Sequence, residues 1–225
     1  MVAERSEGGG ILFSFPQVQY PPVTASRVPA PVRLAGPFFI IIKFFPQILT
    51  HRVKKMVILF SGRKSAVEKE IIEILCSFGA NYISDKAVSS VGGQFTVISE
   101  YKKTDIKSKS GIAVFIDDTD RFKNQFFPKG IIGICEDGNL AALKAFKDSE
   151  TPVITCGMGA KNTVTLSSFG DASLLASLQR TVTDFKGQDI DPAEFKIKLK
   201  KKYSPFAVMA ATAVLLLIGI KPDVF

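Results

Sequence analysis

The chain has 225 residues, 46% hydrophobic and 22% charged, and a formal net charge of +8. That length carries one or two domains with a sizeable core, and the composition excludes a mostly disordered chain, a collagen-like chain and a disulfide-dense miniprotein. Three cysteines without metal-ligand spacing and a single histidine, His51, nearly exclude multi-histidine zinc sites and Ser-His-Asp triads.

The positive charge is concentrated near the start. Residues 1–55 hold seven Lys/Arg and two acids, a net +5, together with seven of the twelve prolines. Gly8-Gly9-Gly10, Pro21-Pro22 and Pro29-Ala30-Pro31 break any regular pattern there. The apolar patch Phe38–Phe45 is interrupted by Lys43 and closed by Pro46. It falls well short of the roughly 20 residues a membrane span requires, and no small-x-small cleavage site follows it. The expectation is that residues 1–55 form a disordered leader, or lie upstream of a true start at Met56. Residues 56–225 are then a single α/β domain.

From Met56 strands and helices alternate. Met56–Phe60 is a short continuous apolar run, the pattern of a strand buried on both faces. A turn, Ser61-Gly62-Arg63-Lys64, leads into Ser65-Ala66-Val67-Glu68, which reads as a capping box. Val67, Ile71, Leu75 and Phe78 recur at helical spacing, with Glu68 assigned mostly to the opposite, polar face; Gly79 ends the helix. Strands are expected at Asn81–Ile83, Gln94–Ile98 and Ile112–Ile116, with a polar loop over Lys102–Ser110. Ile131–Ile134 is a further strand, after which Asp137 is expected to cap a helix carrying Leu140, Leu143 and Phe146 on one face. Pro152–Thr155 and Thr163–Leu166 read as strands. A small hairpin region near 177–199 follows, built on Leu178–Val182 and Phe195–Leu199. A last helix spans about Pro205–Ile220, with proline at N1 and Gly219 near its end. Strands spaced by helices predict a three-layer, mostly parallel sheet with flanking helices.

The last helix invites a membrane reading, because it is uncharged and follows Lys200-Lys201-Lys202. Its length, about 24 Å at 1.5 Å per residue, is short of the roughly 30 Å hydrocarbon core. Ala207, Ala210, Ala211 and Ala213 suit close packing on a sheet, so a buried helix is expected and a tail anchor is the alternative.

Two constellations stand out as candidate sites. Ser61, Gly62, Arg63, Lys64 and Ser65 join a strand to a helix N-terminus, where free N–H groups and two cations suit an anion. The loop is not a Walker A motif, which needs a second glycine before the Lys-Ser/Thr pair. A capped helix start with solvated Arg63 and Lys64 is the plainer explanation. Asp117, Asp118 and Asp120 follow one strand, and Glu136 and Asp137 end another. If those strands are parallel neighbours, the carboxylates meet at the sheet edge where α/β proteins bind ligands, and they are candidates for Mg²⁺. The three cysteines read as buried, reduced thiols of a cytoplasmic protein. Lys196, Lys198, Lys200, Lys201 and Lys202 read as a solvated face, so no nucleic-acid partner is expected.

Residues 130–220 resemble the later half of the central domain of the Mur ligases, ATP-dependent amide ligases of peptidoglycan synthesis. Ile131-Ile132-Gly133-Ile134-Cys135-Glu136-Asp137-Gly138-Asn139 looks like the family's strand followed by N-x-D-D, and Pro152-Val153-Ile154-Thr155-Cys156-Gly157 is similar to its V-I-T-[FY]-G strand. Thr163–Ser167 and Phe195–Leu199 stand in place of the next β elements, and Ala210-Ala211-Thr212-Ala213 through Gly219-Ile220 resembles the helix A-A-x-A…G-[IV]. The family's P-loop has no intact counterpart, and Ser204 and Ala207 stand where its N-x-x-N is expected. The resemblance therefore implies a Mur central-domain fold that is divergent and lacks the phosphate cradle. The functional expectation is a non-catalytic protein that binds a protein or small-molecule partner, without a cofactor and linked to peptidoglycan metabolism. The alternative is a divergent ATP-dependent amide ligase or ligase subunit using ATP and Mg²⁺.

Overall fold

The structure is a computed structural model, and it describes residues 55–62, 65–117, 122, 124–170 and 172–225. The expectations for the leader, His51, Arg63, Lys64, Asp118 and Asp120 fall outside the described residues.

Most of the apolar runs become strands where the sequence places them, and β3 and β9 are added to them. β1 (Lys55–Phe60), β2 (Asn81–Ile83), β3 (Val88–Ser89), β4 (Phe95–Glu100), β5 (Gly111–Phe115), β6 (Ile131–Glu136), β7 (Val153–Cys156), β8 (Val164–Phe169), β9 (Ser173–Leu178) and β12 (Ala193–Lys198) form one sheet. Its order is β12-β9-β8-β7-β6-β5-β1-β4-β2-β3. From β8 across to β2 every neighbouring pair is parallel, while β3, β9 and β12 add antiparallel edges. A separate hairpin, β10 (Val182–Thr183) with β11 (Asp189–Ile190), follows β9. The expected strand at Leu178–Val182 is thus corrected: the main strand ends at Leu178 and a new short one begins at Val182. Asp184 makes that hairpin turn, its Oδ1 accepting from the N–H groups of Lys186 and Gln188.

Side chains alternate across the pleat, so each central strand feeds two cores. Val57 and Leu59 of β1 join Ile112, Val114 and Ile134 under α1 (Ala66–Ser77) and α3 (Pro205–Ile218). Ile58 and Phe60 join Phe115, Phe122 and Phe127 with α2 (Leu140–Asp148) on the other face. The Phe60 and Phe115 rings stack at 4.9 Å, and Phe127 and Phe146 lie 5.0 Å apart. Gly133 of β6 admits the Phe146 ring: a Cβ there would stand 2.6 Å from Phe146 Cζ.

Every residue of α3 from Phe206 to Ile218 is buried, and Gly219 ends it at φ 82°. An all-round apolar helix belongs in a core, and among the described residues no helix is long and apolar enough to cross a membrane. The helix at α2 starts differently from the sequence expectation. Asn139, not Asp137, is its N-cap, accepting from Ala142 N–H at 3.0 Å. Its buried face is Ala142, Ala145 and Phe146, while Leu140 is 73% exposed. The start shifts because Asp137 continues the strand ladder, donating its N–H to the Cys156 carbonyl at 3.0 Å.

Candidate functional site at the carboxyl edge of the sheet

In an open parallel sheet the natural crevice lies beyond the strand ends, where the chain leaves a central strand in opposite directions. Here that point is β1. The chain leaves it through α1 towards β2 and β4 on one side, then returns to β5 on the other. The ends of β1 and β5 carry Ser61-Gly62 and Asp117, so residues from both candidate constellations meet there.

They meet by bonding to each other. The Gly62 N–H donates to Asp117 Oδ2 at 2.5 Å. A Cβ at Gly62 would stand 3.1 Å from the same oxygen, so glycine fits the close approach. Ser65 caps α1, its Oγ accepting from Glu68 N–H at 3.4 Å. The second half of the expected capping box is absent: the Ser65 N–H donates to the Gly62 carbonyl at 3.4 Å. Glu68 is also not on the polar face. It is buried, 3% exposed, and its Oε1 has no hydrogen-bond partner. Ser61 is fully buried, and its Oγ likewise lacks a partner.

The carboxylates expected to converge turn apart. Asp117 faces β1 through Gly62. Asp137 faces the turn between β7 and β8, where its Oδ2 accepts from Asn162 Nδ2 at 2.8 Å. Glu136 is exposed at the end of β6. Among the described residues no group of three His, Cys, Asp or Glu side chains is disposed to hold a metal ion. Gly157 leaves room for the Asp137–Asn162 pair, since a Cβ there would meet Asn162 Nδ2 at 2.5 Å.

Cys135 and Cys156 lie buried behind this edge, and Cys76 is half-buried; all three are free thiols. Burial, then the nearby Asp137 and Glu136 carboxylates, push the Cys135 thiol up to about 12. Cys156 is raised as well, again chiefly by burial. Such thiols are poor nucleophiles. On the β4 side Tyr101 is raised to about 12 by burial and by the adjacent Glu68 carboxylate. Ser99 and Tyr101 carry no signal in the sequence, and Glu68 reads there only as a capping-box residue. Their proximity depends on the β1–β4 pairing, which joins residues 40 positions apart in register.

No protein-family model matches the chain, and no curated protein does. Among solved structures the chain is similar to UDP-N-acetylmuramate:L-alanyl-gamma-D-glutamyl-meso-diaminopimelate ligase from Neisseria meningitides, at 12% sequence identity and a TM-score of 0.46. The likeness covers 79% of this chain and 65% of that ligase.

Proposed function

We propose that this α/β domain works by binding a ligand or protein partner at the carboxyl edge of its sheet, and that it does not drive ATP-dependent ligation. One observation carries the reading. The Gly62 amide, the group of the β1–α1 crossover suited to grip a phosphate, is already held by the Asp117 carboxylate at 2.5 Å. A helix N-terminus attracts one anion, and here an internal carboxylate takes that position. Glu68, buried in the first turn of α1, adds a second negative group. A triphosphate entering this crevice would have to displace one carboxylate and approach another, against Coulomb repulsion that a low-dielectric site strengthens. The motif resemblance of residues 130–220 supports a role alongside peptidoglycan synthesis, in which the Mur-type scaffold is kept for recognition.

Isothermal titration of the full chain with Mg-ATP tests this. The expected result is no binding in the micromolar range. A micromolar dissociation constant would contradict the reading, and its loss in Lys64→Ala would establish the crossover as the nucleotide site instead.

A further inference from the structure

The loop that joins β4 to β5 crosses β1, because those two strands flank it in the sheet. Ile106, 7% exposed, holds the loop to the face opposite α1, where it joins the core of Ile58 and Phe60. A second loop, leading into β6, is tied to the first through Gln125. Gln125 is 2% exposed; its Oε1 accepts the Thr104 N–H at 3.0 Å, and its Nε2 donates to the Thr104 carbonyl at 2.7 Å.

This tie fixes an aromatic ring in water. Phe122 and Phe127 are buried, whereas Phe126 between them in sequence is 67% exposed. The backbone on both sides of that ring is held. The Phe126 carbonyl accepts from Gln125 Nε2 at 2.9 Å, and the next N–H, of Phe127, donates to Ser149 Oγ at 3.1 Å. At the junction of the two loops opens a cavity of about 320 Å³, lined by Lys103, Thr104, Asp105, Gln125 and Phe126. That size lies at the lower end of small-molecule pockets, roughly 300–1,000 Å³.

Most polar groups of the lining are already engaged. Gln125 is bonded as above, and the Thr104 hydroxyl donates to Glu100 Oε2 at 3.0 Å. Asp105 is paired with the exposed Lys107 at 3.2 Å. Lys103 is exposed and makes no ion pair among the described residues. A ligand therefore meets one aromatic ring and one ammonium group. With Asp105 in the same wall, a single cation suits one negative charge and disfavours a polyphosphate.

From this we infer that the cavity between the β4–β5 and β5–β6 loops binds a small planar aromatic carboxylate, its ring packed on Phe126 and its carboxylate on Lys103. The site shares no residue with the Gly62–Asp117 contact and goes beyond the role proposed for the sheet edge. Nothing in the sequence marks it, because the tie between Thr104 and Gln125 joins residues 21 positions apart.

The test is an NMR titration of the full-length chain with 2-naphthoate, with 2-naphthalenemethanol as the neutral analogue and acetate as the anion without a ring. Naphthoate should shift the Phe126 ring and Gln125 side-chain amide signals saturably at millimolar concentration, and acetate should not. The neutral analogue should bind about fivefold more weakly, the upper scale of an exposed ion pair. Phe126→Ala should weaken naphthoate about tenfold, through the lost aromatic pair and its buried area. Lys103→Ala should bring naphthoate down to the affinity of the neutral analogue and leave that analogue unchanged, a split that a merely structural role would not produce. Both side chains are exposed, so both variants should keep the fold. No saturable response, equal affinity for naphthoate and the neutral analogue, shifts confined to other parts of the chain, or unchanged affinity in either variant would each overturn the site.

Discussion

At the scale of single residues, Asp117 ties the end of β5 to the β1–α1 crossover. Its carboxylate accepts the Gly62 N–H at a distance typical of a strong charge-assisted bond. Asp117→Ala leaves that amide without its partner and should lower stability by about 1–3 kcal/mol, read from urea denaturation. The thiols give a second residue-scale prediction. Cys135 is held neutral in the native state, with its titration moved from the ordinary 9.0 to about 12, mainly by burial. Its contribution to stability is therefore whole below pH 9 and is lost as pH rises towards 12, because the unfolded chain releases the proton first. Urea midpoints across this window should fall, and Cys135→Ala should flatten part of the fall; Cys156 sustains the rest, since its thiol is raised in the same direction. A thiol reagent at neutral pH should reach half-buried Cys76 well before the two buried thiols.

Elements are held by contacts between distant parts of the chain. α3 begins at Ser204-Pro205, yet the Ser204 side chain makes no capping bond to the helix. Glu70 of α1 supplies the anchor, its Oε2 accepting from Ser204 N–H at 2.8 Å and from Ser204 Oγ at 2.6 Å. Beside it the Tyr203 Oη donates to Glu73 Oε1 at 3.2 Å. Removing the anchor in Glu70→Ala should cost about 1–2 kcal/mol, the scale of a lost helix cap, in chemical denaturation. Gly133 plays the matching part between β6 and α2. Gly133→Ala would force a Cβ to within 2.6 Å of Phe146, and overpacking of this kind costs about 1–3 kcal/mol. Adding Phe146→Leu should return part of that loss, because the two positions share one contact and their effects couple.

For the molecule as a whole, local patterns in the sequence were sufficient for the order of most elements up to β8 and for α3, while the partners of each element were not legible there. Continuous apolar runs mark β1, β5 and β6 as strands buried on both faces, and Pro205 with Gly219 brackets α3. Those signals are short-range, and the structure bears out the mostly parallel sheet they imply. The two-residue β3, by contrast, has exposed side chains and no hydrophobic pattern to mark it. The site was half legible. Ser61, Gly62 and Asp117 stand out as residues at strand ends, but their direct bond depends on β1 and β5 being neighbours. Glu68 looks like the polar partner of a capping box until the fold turns it to the buried face of α1. Asp137 resembles a helix cap until the strand ladder claims its backbone.

The proposed function rests on an internal carboxylate, Asp117, holding the Gly62 amide at the β1–α1 crossover. The most direct measurement is the amide proton resonance of Gly62, followed while Mg-ATP is added to the full-length protein. It should stay in place up to millimolar nucleotide, and it should move in Asp117→Ala without any nucleotide present. A saturable Gly62 shift at micromolar Mg-ATP in the unaltered protein would contradict the claim.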